Sequence, residues 1–195
     1  MTSLRNNPQD QRTSEDLALD AAREAILAVG WSRTTLTDIA RRAGLSRMTL
    51  YRRWPVMTAL LGDLMTREWA ELVTLPTGND PRAALIDGVV GTVGALRENE
   101  LFTRIVELDP EMLLPYLLER SGRSQDRVLD LLALGITTGQ HSGAIRAGDP
   151  RLIARSILLT AHGFTLSAQT MTDETISSAE LDAELRAILE SYLTP

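Results

Sequence analysis

Residues 34–61 read TTLTDIARRAGLSRMTLYRRWPVMTALL, and the order of polar and apolar positions divides the stretch into two short helices. Thr35-Leu36-Thr37-Asp38 has the form T-x-x-D, a capping-box variant with Asp in the place usually held by Glu. The helix it opens is expected over about 36–43, with Leu36, Ile39, Ala40 and Ala43 on one face and Arg41 and Arg42 outward. Gly44 then supplies a positive φ without a Cβ penalty, and Leu45 plugs the turn. Ser46 caps a second helix over about 47–54, on which Leu50 and Trp54 lie one turn apart and face inward. Its remaining face carries Arg47, Met48, Thr49, Tyr51, Arg52 and Arg53, and Pro55 stops it. Two short helices joined by a tight glycine turn make a helix-turn-helix. The small Ala40 lets the pair approach closely. The second helix is narrow enough to enter the major groove of DNA, with its N-terminal side chains toward base edges and its flanks toward phosphate.

Charge supports the same reading. The chain has 195 residues and a net charge of −6, which by itself does not point to nucleic acid. All 20 basic residues are arginine, an absence of lysine that reads as coding bias. Residues 1–70 hold 10 arginines against 8 acids, whereas residues 71–195 hold 10 against 18. Between Trp31 and Trp54 stand six arginines and a single acid, Asp38. A basic island in an acidic protein is an electrostatic footprint for a polyanion.

Upstream, Leu17, Ala21, Ala25 and Val29 recur at helical spacing, with Ser14 as the expected N-cap and Gly30 at the end. Residues 1–12 are expected to be a flexible lead-in. With these elements in place, the chain resembles the tetracycline-repressor (TetR) family of bacterial regulators over about residues 14–72. The likeness rests on T-T-L-x-x-I-A-x-x-A-G-L-S, the T-L-Y beyond it, the aromatic Trp54 and a helix starting near Val56. The resemblance implies a homodimer that binds a near-palindromic double-stranded operator, represses transcription and is released by a small molecule in the C-terminal region. It places Arg47 and Met48 among base-facing residues, Thr49 at base or phosphate, Tyr51 and Arg53 at phosphate, and Thr35 at the helix start beside phosphate. Relatives often carry Ser-Lys or Asn-Lys where this chain has Val56-Met57, so the lysine contact to phosphate is absent, and Arg52 or Arg53 is the expected substitute.

The remainder is expected to be helical. Helices are read over 56–73, 81–98, 101–108, 125–141 and 151–170, with another opening at Asp109-Pro110 and broken or bent by Pro115. A last one, capped by Ser177 or Ser178, carries the stripe Leu181, Leu185, Ile188, Leu189 and Tyr192. No segment alternates with period two, so the fold class is all-α, with about nine helices. The expected division is a DNA-binding domain at 13–55 and a helical regulatory and dimerisation domain at 56–195. In the family the last two helices form a four-helix bundle with the dimer mate, although burial within one subunit would give the same stripes.

No cysteine is present, which excludes disulfides and thiolate metal sites. There is no 18-residue apolar run and no secretory leader pattern, so a cytoplasmic protein without membrane insertion is expected. His141 and His162 lack partners at metal spacing, and no nucleophile elbow, phosphate loop or dinucleotide fingerprint occurs, so neither metal, cofactor nor enzymatic activity is expected. Phe102, Met112, Tyr116, Thr138, Thr160, His162 and Phe164 are residue types that could line an effector pocket, while Trp69 is read as core. Acids such as Glu107 and Asp109 are read as solvated faces or caps. The alternative function is a helical ligand-binding or interaction module that does not dock on DNA.

Overall fold

Thr13 and Asp16 close a reciprocal cap at the start of the first helix: Thr13 Oγ1 accepts from the Asp16 amide at 3.1 Å, and Asp16 Oδ2 accepts from the Thr13 amide at 3.0 Å. The cap is therefore Thr13 rather than the expected Ser14, because only Thr13 stands three residues before a carboxylate that can reach back. A computed structural model describes residues 13–73, 78–119 and 121–195; the lead-in expected over 1–12 lies outside these.

The elements are α1 (Ser14–Val29), α2 (Leu36–Arg42), α3 (Arg47–Arg53), α4 (Met57–Leu72), α5 (Pro81–Glu98) and α6 (Glu100–Leu108). A 3₁₀ turn (Pro110–Met112) precedes α7 (Leu114–Leu118), followed by α8 (Arg123–His141), α9 (Pro150–Leu166), α10 (Ala168–Met171) and α11 (Ser178–Leu193). The described residues contain no strand, in keeping with the all-α reading. They hold eleven α-helices, more than the nine expected. Pro110 and Pro115 divide the chain after Asp109 into two short pieces, and the helix expected over 151–170 is interrupted at Ser167.

Two apolar cores result. The first gathers Ala18, Ala22 and Ile26 of α1, Ile39 of α2, Leu50 and Trp54, and Leu60 and Leu64 of α4. It extends to Leu101 and Ile105 of α6, so the helix-turn-helix shares its interior with the rest of the chain. Alanines on α1 leave room for α2 and α4 to pack close. The second core joins Leu85 and Ile86 of α5, Ile136 of α8, Ile153 and Ile157 of α9, and Leu185 and Leu189 of α11. Packing of α4 and α6 against the first core and of α5, α8, α9 and α11 around the second leaves a space between the two.

The α8–α9 connection is packed through a missing side chain. Gly139 is buried in α8, and its carbonyl accepts from the amides of Ala144 and Ile145 at 2.8 and 3.1 Å. This pins Ile145 so closely that a Cβ on Gly139 would meet its Cγ1 at 2.6 Å. Gly139→Ala is expected to destabilise the fold by up to about 2 kcal/mol, overpacking outweighing the gain in helix propensity. Urea unfolding followed by circular dichroism measures it, and an unchanged midpoint would show that Ile145 yields freely.

Candidate DNA-binding face and effector cavity

The recognition surface is built by two side-chain caps. Thr35 Oγ1 accepts from the Asp38 amide at 3.2 Å at the start of α2, and Ser46 Oγ accepts from the Thr49 amide at 3.1 Å at the start of α3. The T-x-x-D box is only half formed, because the Asp38 carboxylate takes the Thr35 hydroxyl and Arg41 instead of the Thr35 amide. On α3, Leu50 is buried, and Trp54, just past its end, is buried too, as their spacing requires. Arg47, Met48, Tyr51 and Arg52 point away from the protein, Met48 being 78% and Tyr51 46% exposed. Thr49 is half-buried and hydrogen-bonded to Ser46, and Thr35 is exposed at the mouth of α2.

The basic island does not present all its charge equally. Arg33, Arg42, Arg47 and Arg52 make no ion pair with a described residue. Arg53 is held by Glu15 of α1 through Nη2 at 3.0 Å and Nε at 3.3 Å. Met57 is half-buried against the first core, so nothing at that position reaches toward phosphate.

Two carboxylates join this head to the helices behind it. Asp109, at the end of α6, is 1% exposed; its Oδ2 accepts from the Trp31 amide at 2.7 Å and its Oδ1 from the Ser32 amide at 3.1 Å. Burial opposes its ionisation most strongly, yet hydrogen bonds from Ser32 and Trp31 and the charge of Arg33 hold its pKa below the usual carboxylate range. Gly30 adopts φ 86° beside it, and a Cβ there would stand 3.0 Å from Asp109 Oδ2, so glycine is needed for both conformation and approach. The expectation of Asp109 as a solvated face or cap is corrected: its carboxylate turns to a loop 78 residues away. The second carboxylate is Asp63 of α4, whose Oδ2 accepts from the indole Nε1 of Trp54 at 2.7 Å. Both contacts are invisible in local sequence, since neither partner pair lies at a helical or capping interval.

Between the cores lies a cavity of about 400 Å³. Its apolar wall comes from Leu61, Met65 and Trp69 of α4, Ile105 of α6, and Met112 and Leu113, with His162 and Leu166 of α9 opposite. Tyr116 and Leu117 of α7 and residues 121–125 close one side. Of the seven residues expected as effector contacts, Met112, Tyr116 and His162 line this space. Phe102 is buried behind it, edge-on to Trp69 at 6.5 Å between ring centroids. Thr138 is exposed and bonded to the Leu134 carbonyl, Thr160 bonds the Ser156 carbonyl, and Phe164 packs on the second core, all outside the cavity. Trp69, read as core, packs against the first core and also forms part of the cavity wall. Burial lowers the pKa of His162, which favours its neutral imidazole. Among the described residues no cluster of His, Asp or Glu could hold a metal.

Residues 18–64 match the family described as "Bacterial regulatory proteins, tetR family". Across 194 residues, 99% of this chain and 100% of the relative, the sequence is 34% identical to an uncharacterized HTH-type transcriptional regulator of Mycobacterium tuberculosis. The chain belongs to the TetR family. This TetR-family protein is accordingly a DNA-binding transcriptional regulator and not an enzyme. Its fold is also that of two solved structures. One is the transcriptional regulator FadR of Bacillus subtilis, in complex with stearoyl-CoA, at TM-score 0.65 and 19% identity over 91% of this chain and 98% of that one. The other is the TetR-family repressor AlkX of a Dietzia species, implicated in biodegradation of n-alkanes, at TM-score 0.66 and 21% identity over 97% of both chains. Among the described residues no helix of this TetR-family regulator is long and apolar enough to cross a membrane.

The Asp109 contact gives a direct test of how the head is held. Asp109→Ala is expected to lower the unfolding free energy by about 1.5–3 kcal/mol at pH 7, the range for hydrogen bonds to a charged group. A folded-state pKa below the unfolded value means the contribution is present above the ordinary carboxylate range and fades as pH falls through the folded value. Urea titrations of both proteins at descending pH should therefore converge in acid; a constant gap would show that charge on Asp109 contributes nothing.

Proposed function

We propose that the protein is a cytoplasmic homodimeric repressor, residues 13–55 reading a near-palindromic operator and residues 56–195 serving dimerisation and effector binding. The observation that carries this reading is the position of the cavity. Its wall includes α4 and, through Ile105, α6, and Asp63 on the first and Asp109 just past the second hold the head. A ligand that favours one arrangement of those helices changes the setting of α3, and a coupling of about 1–3 kcal/mol already alters affinity 5–150-fold.

Dimerisation is supported by apolar side chains left open on the last two long helices. Leu152 and Leu159, two turns apart on α9, are 62% and 72% exposed, and Ile188 of α11 is 45% exposed. One α3 meets too few base pairs for high selectivity, whereas two held about 34–36 Å apart reach successive major grooves. The structural neighbour complexed with stearoyl-CoA supports an apolar effector. Arg47 and Met48 read bases, Thr49 touches base or phosphate, and Thr35, Tyr51 and Arg52 bind phosphate. Arg53 joins them when phosphate displaces Glu15.

The Met57 side chain, half-buried where relatives offer lysine, favours the second reading of a helical module without DNA binding. Fluorescence anisotropy with duplex from upstream of the protein's own gene separates the two. Tyr51→Ala and Arg52→Ala are each expected to weaken binding on all sequences, and Arg52→Ala, which removes a charge, is expected also to reduce the slope of log K against log salt by about 0.9. Arg47→Ala is expected to relax preference at one operator position. A wild-type protein with no affinity for any duplex, or an Arg47→Ala variant with an unchanged site preference, would contradict these assignments.

A further inference from the structure

The cavity wall carries no carboxylate among the described residues, and Arg123 is its one arginine. Much of its polar lining comes from a single stretch, with Ser121, Ser124 and Gln125 flanking Arg123, while α4 and α6 supply mainly apolar atoms. The space is thus apolar over most of its surface and polar, with a positive charge, along one side.

Arg123 is not idle. Its Nη2 donates to Asp63 Oδ1 at 2.5 Å. The guanidinium lies along this turn of α4: a Cβ on Gly62, one residue earlier, would stand in ordinary contact with Arg123 Nη2 at 3.5 Å. The Asp63 carboxylate also accepts from Trp54 Nε1 and stands 3.7 Å from Arg53 Nη2. One largely buried carboxylate therefore touches the cavity's arginine and the end of the recognition helix together. The Arg123 side chain is 66% exposed and Asp63 only 13%, so Arg123 is the partner free to swing away. When it leaves, the negative charge of Asp63 is shared by fewer cations, and its attraction for Arg53 rises. Arg53 is then drawn from phosphate toward the protein.

We propose that the cavity takes a molecule with an apolar body and one carboxylate, that Arg123 binds this carboxylate, and that Asp63, released from Arg123, carries the signal to Arg53. This rests on the cavity being the effector site, and it names the class of effector. A neutral apolar molecule of the same size fills the space but leaves the Arg123–Asp63 pair intact.

Decanoate and decanol, with equal chain length and different charge, separate these cases. Each is titrated below its aggregation threshold into the full chain, with tryptophan emission as the readout, since Trp69 is in the wall. Decanoate is expected to bind at least tenfold more tightly than decanol. Arg123→Gln is expected to erase that preference while leaving decanol binding unchanged, which also shows that the variant is folded. Decanoate is expected to weaken wild-type binding to the upstream duplex. Asp63→Asn, which retains an acceptor for Trp54, is expected to bind decanoate yet to release DNA at least fivefold less on its addition. Equal affinity for the two compounds, binding of neither, or an Arg123→Gln variant that still prefers decanoate overturns the carboxylate assignment. An Asp63→Asn variant that releases DNA as the wild type does overturns the relay. DNA binding of the ligand-free wild type is measured in the same series. Its absence would sink the repressor reading while leaving the choice between acid and alcohol to be judged on the emission data alone.

Discussion

A carboxylate withdrawn from water must be given donors, and Asp109 is given two backbone amides from the loop after α1. The rest of the architecture depends on that exchange. In the loop between Gly30 and Thr35 the Thr34 amide closes a turn on the Trp31 carbonyl, and the carboxylate after α6 takes the amides of Trp31 and Ser32. Thr34 completes the corner by donating its hydroxyl to the Gly30 carbonyl at 2.7 Å. The helix-turn-helix is thereby fixed to α6 by direction-sensitive bonds and to α4 and α6 by apolar contact. A rigid head on a defined axis is what a groove-reading helix needs.

The local parts of this fold are legible in the sequence because they are built from short-range chemistry. The caps at Thr35 and Ser46, the inward Leu50 and Trp54 and the glycine turn each derive from residues three or four apart. The first cap stands one residue from its expected place because Ser14 and Thr13 are equally good acceptors, and only the reach of Asp16 decides between them. The cavity is harder to read. Met112, Tyr116 and His162 meet there from elements far apart in the chain, and nothing in their spacing separates them from Thr138, Thr160 or Phe164. Trp69 reads as core and does pack on it, but its place in a periodic apolar stripe gives no sign that it faces a cavity as well. Asp109 and Asp63 are illegible for a related reason: isolated acids in a sequence carry no sign of burial.

Charge is distributed with the same economy. Within the basic island, Arg33, Arg42, Arg47 and Arg52 have no ion-pair partner among the described residues, while acids from α1 and α4 hold Arg53 and Arg67 in place. Attraction to a polyanion and internal cohesion therefore draw on one residue type, divided by which guanidinium has a carboxylate within reach.

From Pro110 to Glu119 the chain is held more loosely. Neither its 3₁₀ turn nor α7 contains a fully buried residue, and Leu114 and Leu118 face outward at 49% and 77% exposure. Opening free energy tracks buried contact, so this flank swings ajar at lower cost than either packed interior. On the effector reading proposed above, a guest would pass through this hatch of proline-bounded turns, and the framework that grips the helix-turn-helix would stay packed while it did so.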